Sequence, residues 1–262
     1  MSATGLAEAE SALVRIPGPD RGRVLEQLAD GPTNASYLVE QNGERLVLRL
    51  DKPGAGALGL DRASERRVCE ALAAAGLLPA HRHFDAAGGI TLRPWVAGRS
   101  LVAGDLFEPA TLTELAAVLR RLHGLAPVGR RFEPLADARR YARQLGTSEA
   151  ADLARQAEAV LAASAPGEAA AALCHNDLVA ANIVRPANGT LVLIDWEYAG
   201  IGDPYFDLAV VVRHHQLGAD LARHFLEAYL ERGPRDAEHG RLAQQCEFYG
   251  CLLALWNLRV GL

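Results

Sequence analysis

The sequence predicts an α+β fold of two lobes, a small β-rich lobe over residues 1–97 and a larger helical lobe over 98–262. Three observations carry that reading. Short alternating apolar runs separated by turn residues crowd the region before Gly98. Amphipathic helical periodicity dominates after it. The chain has 262 residues, of which 50% are hydrophobic and 23% charged, an ordinary globular composition with enough length to bury a core without disulfide staples. Two such lobes suggest a ligand site in a cleft between them.

The elements follow in order. Residues 23–29 read as a strand. Asp30-Gly31-Pro32-Thr33-Asn34 is turn chemistry, in which glycine, proline and asparagine each favour a bend for a different reason. Residues 35–40 read as a second strand, Asn42-Gly43 as a hairpin turn, and residues 45–50 as a third strand with clean alternation. Together they make an antiparallel meander. A glycine-rich loop covers 53–59. A helix over 63–75 puts Val68, Cys69, Leu72 and Ala75 on one side and stops at Gly76. A strand at 90–94 leads into Trp95-Val96-Ala97-Gly98, the boundary between the lobes. Helices are predicted at 112–125, 137–144 and 149–163, followed by a break at Ala165-Pro166-Gly167. The stretch 173–195 is irregular, with short apolar pieces at 182–184 and 191–194. Helices resume at 206–215, at 219–232, and from 238 to the C-terminus.

A net charge of −5 lacks the basic face of a nucleic-acid binder, so no nucleic-acid partner is expected. It permits a cationic substrate or a metal-bound anionic one. Lys52 is the only lysine; all other basic side chains are arginines. Cys69, Cys174, Cys246 and Cys251 are scattered, without CxxC or zinc-ligand spacing, and read as buried free thiols of a reducing compartment. Glu8 and Glu10 stand where a signal peptide would be basic and then apolar. No apolar run approaches the roughly 18 residues of a membrane span. The expectation is a soluble cytoplasmic protein with no membrane partner; its oligomeric state is not legible.

Chemistry concentrates in His175-Asn176-Asp177-Leu178-Val179-Ala180-Ala181-Asn182 and in Leu191-Val192-Leu193-Ile194-Asp195-Trp196-Glu197. Asp177, Asn182 and Asp195 are oxygen donors of the kind a hard Mg²⁺ ion prefers. Two carboxylates with different neighbours can divide roles, one toward a metal and one toward a proton. Taken singly, each residue could equally be part of a satisfied polar turn.

The spacing His-x-Asp-x-x-x-x-Asn followed by Ile-Asp-Trp-Glu resembles the catalytic loop and metal-binding segment of the aminoglycoside phosphotransferase and choline kinase superfamily. The strings Leu-Ile-Asp-Trp-Glu-Tyr-Ala-Gly and Asp-Pro-x-x-Asp-Leu-Ala resemble bacterial choline and thiamine kinases in particular. The similarity is densest over 173–212 and extends weakly back to about residue 24. It implies a bilobal, protein-kinase-like fold with ATP and Mg²⁺ as cofactors and a small-molecule hydroxyl as acceptor. It implies Asp177 as the base toward that hydroxyl, and Asn182 and Asp195 as metal ligands. Asp207 would brace the catalytic loop, although its position at a helix start also suits a plain N-terminal charge. His175 reads as a packed structural residue. His123 reads as a helix-end histidine, and His214 and His215 as helix residues.

The resemblance also implies a cation on the third strand facing the nucleotide phosphates. Val47 and Arg49 share a strand face while Leu46, Leu48 and Leu50 point the other way, which selects Arg49 over Lys52. The helix partner implied for Arg49 is Glu65; an exposed glutamate favoured by the helix dipole is the alternative. Gly31-Pro32-Thr33-Asn34 resembles the phosphate-covering hairpin, which implies Asn34 as a nucleotide contact, and the same resemblance implies Trp95 and Val96 as the adenine-holding hinge. For the acceptor the candidates are Glu197, Tyr249 and Trp256, which suit a cationic alcohol such as choline or thiamine. Core packing of the last helix explains the two aromatics equally well. Glu231, Asp236, Glu238 and Glu247 offer only a modest acidic supply for an aminoglycoside, the second reading. A catalytically inactive nucleotide-binding module is the reading of a different class.

Overall fold

The computed structural model describes residues 3–18, 20–54, 59–163, 171–187 and 189–261. The chain divides into two compact units, Met1–Ala97 and Gly98–Leu262.

The first unit opens with a helix, α1 (Ala3–Arg15), which the sequence reading did not anticipate. Ala9, Ala12, Leu13 and Ile16 recur at helical spacing and are buried. Next come β1 (Arg23–Asp30), β2 (Asn34–Gln41), β3 (Glu44–Asp51), α2 (Arg62–Ala74), β4 (His83–Asp85) and β5 (Ile90–Pro94). The strands form one antiparallel sheet in the order β1-β2-β3-β5-β4. Asn42 and Gly43 both take positive φ, 51° and 76°, the tight turn whose twist suits a two-residue hairpin. Alternation sorts β3 into two faces. Leu46 and Leu48 join Tyr37, Val39, Ile90, Leu92 and the apolar stripe of α1 in one core, with Leu50 packed at its margin. Arg49 faces the other way and reaches α2.

Helix α2 is capped by Asp61, whose carboxylate accepts from Ser64 N at 2.9 Å. It ends at a left-handed Gly76, with Leu77 N donating to Leu72 O at 2.9 Å and Gly76 N to Ala73 O at 3.1 Å. Of the loop at 53–59, residues 55–58 lie outside the described residues.

The second unit contains β6 (Gly98–Ser100), a 3-10 turn (Ala103–Phe107), α3 (Pro109–His123), α4 (Pro134–Leu145), α5 (Ser148–Ala162), β7 (Ala172–Cys174) and a second 3-10 turn (Ala180–Asn182). It continues with β8 (Ile183–Pro186), β9 (Val192–Leu193), β10 (Gly200–Gly202), α6 (Pro204–His214), α7 (Ala219–Leu230) and α8 (Asp236–Val260). The expected break at Ala165-Pro166-Gly167 lies outside the described residues. Helices α3, α4 and α6 begin at Pro109, Pro134 and Pro204, ahead of the periodic apolar residues that suggested them. Proline fits a first turn because its missing N–H has no intrahelical acceptor there.

The short strands frame the chemistry-bearing loops. β7 pairs with β10, and β8 with β6 and β9. The 175–182 loop therefore runs from one small sheet to the other, and the 194–199 segment runs back. Among the described residues no helix is long and apolar enough to cross a membrane. None of the four cysteines forms a disulfide, and Cys69, Cys174 and Cys251 are buried.

Candidate active site

Asp207 organises the loop that carries Asp177. It lies in the first turn of α6, fully buried, while the cap of that helix is Asp203, which accepts from Tyr205 N at 2.8 Å. Its carboxylate accepts from His175 N at 2.8 Å, from Asn176 N at 2.7 Å and from the His123 ring at 3.0 Å. His123 closes α3 and is held on its other nitrogen by the Tyr229 hydroxyl at 2.8 Å. It is therefore a partly buried link from α3 to the loop.

His175 couples the two motif segments. Its Nε2 donates to Ile194 O at 2.9 Å and its Nδ1 accepts from Asp177 N at 3.3 Å. The bonds require the neutral ring, and burial lowers its pKa in the same direction. Trp196 covers it, ring centroids 4.5 Å apart, and donates its indole N–H to Leu193 O at 3.1 Å. Two non-glycine residues adopt left-handed backbone here, Asn176 at φ 67° and Asp195 at φ 64°. Asparagine and aspartate tolerate that region better than most residues. Asn176 is tied down by its Nδ2, which donates to Tyr198 O at 3.0 Å.

Asn182 sits five residues past Asp177, at the end of the 3-10 turn, and bends back onto it. Its Nδ2 donates to both Asp177 O and Asp177 Oδ2, each at 2.9 Å. Ile194 N donates to Asn182 O at 2.9 Å, which draws the segment carrying Asp195 alongside. Burial first, then the charges of Asp195 and Glu197, push the Asp177 carboxyl up to about 7, against the bond from Asn182. Glu197 is buried. The structure thus brings Asp177, Asn182, Asp195, Glu197, His175 and Asp207 into one polar cluster.

Tyr198, adjacent to Glu197 in sequence, belongs to the same surroundings. Burial, then Glu197 and Tyr141, hold its phenol far above the ordinary value. Neither Tyr198 nor Tyr141 stood out in sequence, since a tyrosine after a motif or in a helix has no distinguishing spacing. Tyr249 and Trp256 have different neighbours. Tyr249 packs edge-on against Phe206 and its hydroxyl meets His214 Nδ1 at 3.0 Å. Trp256 lies 5.8 Å from Tyr141, whose ring also carries the Arg140 and Arg259 guanidiniums at 5.1 and 5.3 Å. Of the acidic groups near the C-terminus, Glu238 pairs with Arg232 and Arg235, and Glu231 with Arg120.

In the first unit Arg49 and Glu65 form a two-bond ion pair, Nη1–Oε1 2.7 Å and Nη2–Oε2 2.9 Å. Glu65 also receives Arg62 at 2.7 Å, and Arg62 is held by both oxygens of Asp51 at 2.7 Å. Burial works to raise the Glu65 pKa, but Arg49 and Arg62 outweigh it and hold the carboxyl below its usual value. Lys52 pairs instead with Asp30 at the surface. Asn34 is buried at the start of β2, its Nδ2 donating to Thr33 Oγ1 at 3.0 Å, and Gly31 N closes the turn on Asn34 O at 2.9 Å. Trp95 N donates to Arg45 O at 2.9 Å, so the sheet already uses that amide; Val96 follows outside any strand.

The profile of the phosphotransferase enzyme family matches residues 24–243. The chain belongs to that family. Protein LicA of Haemophilus influenzae is 30% identical over 206 residues, 75% of this chain and 76% of that one. A thiamine kinase of Escherichia coli is 31% identical over 204 residues, 73% of this chain and 69% of its own length. Among solved structures, a choline/ethanolamine kinase family protein from Mesorhizobium loti superposes with a TM-score of 0.76 at 26% identity, covering 96% of this chain and 85% of that one. The fold of this phosphotransferase is α+β and protein-kinase-like, and the protein is a small-molecule kinase.

Proposed function

We propose that this phosphotransferase moves the γ-phosphoryl group of ATP to the hydroxyl of a small cationic alcohol, of which choline and thiamine are examples, in a cytoplasmic setting. The observation that carries the reading is the placement of Asp177. Asn182 Nδ2 donates to one of its carboxylate oxygens at 2.9 Å and so fixes its direction, on a loop tied by Asn182 O and Ile194 N to the segment that carries Asp195 and Glu197, which sets it to accept the hydroxyl proton of an acceptor. Asp195 and the amide oxygen of Asn182 are the donors for Mg²⁺: one carboxylate and one neutral oxygen, set among further carboxylates whose mutual repulsion a divalent cation relieves. When bound, the cation neutralises charge on the phosphate oxygens. His175 and Asp207 hold the loop so that Asp177 and Asp195 keep their separation. In the first unit Arg49, oriented by Glu65, offers a guanidinium to the phosphates. Asn34 lies in the turn that covers them, and the backbone of Val96 with the carbonyl of Trp95, whose amide is taken by Arg45 O, receives the adenine.

Within this reading the acceptor ammonium belongs beside Glu197, Tyr198 and Tyr249. Trp256 contributes less, because the Tyr141 face beside it already carries Arg140 and Arg259. An aminoglycoside is the weaker alternative, since Glu231 and Glu238 are already engaged by arginines.

The test is an acceptor panel of choline, ethanolamine, thiamine, amino sugars and aminoglycosides with coupled ADP detection, run on the native protein and Asp177→Asn. Asp177→Asn is expected to bind Mg-nucleotide normally and to lose phosphoryl transfer by roughly 10²-fold or more. Near-native turnover by the folded variant removes Asp177 from the role of base. Turnover confined to aminoglycosides replaces the acceptor class.

A further inference from the structure

His215 lies outside every motif, yet it holds the active-site loop. It stands at the C-terminal end of α6, where its ring spans two backbone groups. Nδ1 is 2.9 Å from Val211 O, one turn earlier, and Nε2 is 3.1 Å from Ala180 N. A carbonyl can only accept and an amide N–H can only donate. The ring is therefore fixed as the neutral tautomer with its proton on Nδ1 and its lone pair toward Ala180. Both residues are buried, so water does not compete for the bond.

Ala180 opens the 3-10 turn Ala180–Asn182, and Asn182 is the residue that grips the Asp177 carboxylate. The 175–182 loop is thus pinned at two places by one helix. Asp207, in the first turn of α6, takes the amides of His175 and Asn176 at the start of the loop. His215, eight residues further along α6, takes the amide of Ala180 near its end. Helix geometry separates those anchors by about 12 Å along the axis, enough to clamp both sides of Asp177.

We infer that His215 is a positioning residue for phosphoryl transfer, fixing the Ala180–Asn182 turn and, through Asn182, the direction of the Asp177 carboxylate. The inference rests on the reading of Asp177 as base. Sub-ångström placement of a reacting group matters because a displacement of about 1 Å can lower turnover about 10²-fold.

Steady-state kinetics on His215→Phe and His215→Gln test the inference, with thermal unfolding and amide exchange at Ala180 alongside. His215→Phe fills the same space without an acceptor. It is expected to lose about 10- to 100-fold in kcat with little change in the KM for nucleotide, and to expose the Ala180 amide to exchange. His215→Gln can bring its Oε1 to the position of Nε2 and is expected to recover most of that kcat. Native kcat in His215→Phe, or equal losses in both variants, overturns the inference. If His215→Phe does not fold, His215→Gln is compared with His215→Asn, whose amide is too short to reach Ala180; a higher kcat for His215→Gln supports the role and equality overturns it. Asp177→Asn measured in parallel separates the two failures. If Asp177→Asn is inactive while His215→Phe is normal, only the positioning role falls; if Asp177→Asn is active, the base assignment itself falls.

Discussion

Glu65 offers the sharpest energetic test. Viewed from strand β3 and helix α2 alone, it serves Arg49 and should be the lesser partner of that pair. The structure makes it a hub instead, 3% exposed and gripped by Arg49 and Arg62, which are 11% and 9% exposed. Replacing Glu65 by glutamine keeps the shape and removes the charge that both buried guanidiniums face. Removing one partner of a buried ion pair costs about 3–5 kcal/mol. Arg62 retains both oxygens of Asp51, which places the expected loss for Glu65→Gln at the lower end, about 3 kcal/mol. Arg49→Met, by contrast, leaves Glu65 paired with Arg62 and should lose only about 1.5 kcal/mol. Urea unfolding followed by far-UV circular dichroism measures both. The reasoning is refuted if Glu65→Gln stays within about 1 kcal/mol of the native protein or proves milder than Arg49→Met.

Arg49→Ala should raise the nucleotide KM or depress kcat by about 10- to 150-fold, the loss of a charge-assisted phosphate contact, while Lys52→Ala is nearly silent because Lys52 pairs with Asp30 at the surface; the reverse pattern means that the wrong cation was assigned. The Glu65 carboxyl, held below its usual value, contributes stability that is present above pH 4.5 and is lost as pH falls through its folded-state pKa, so acid unfolding of Glu65→Gln should show a shallower dependence in that window. His81 is pushed down to about 4 by burial and then by Arg93; an unfolded histidine takes up its proton near 6.5, so stability should decline as pH drops from 6.5 toward 4, and a pH series of melting temperatures on His81→Asn should lack that share of the decline. Asp207→Asn puts an NH₂ group against at least one of the N–H groups the carboxylate now receives and should lose about 1.5–3 kcal/mol; a variant as stable as the native protein in denaturant would show that the loop does not depend on it.

What the sequence determined by itself is what short range and residue chemistry control. Alternation along 45–50 decided which β3 side chains enter the core and which side Arg49 takes. Asn42-Gly43 decided a hairpin, since few other pairs take positive φ twice in succession. The spacing of Asp177, Asn182 and Asp195 announced the polar loop. Helix α1 escaped because its apolar positions are mostly alanines, a weak periodic signal that matters only once a sheet face is there to receive it. Helix starts at Pro109, Pro134 and Pro204 were read late because proline counts as a breaker locally and as a good first residue only when a helix follows.

Tertiary structure decided everything that depends on residues far apart in the chain. It joined His123 to Asp207 across 84 positions and Ala180 to His215 across 35. It gave Glu65 a second arginine and left Tyr249 and Trp256, seven residues apart on one helix, with different neighbours. The physical reason is common to all of these. A histidine ring, a carboxylate or a phenol has the same local propensity whether it meets water or a buried amide. Its role is set by which N–H or C=O it removes from solvent, and only the folded chain brings that group within hydrogen-bonding distance.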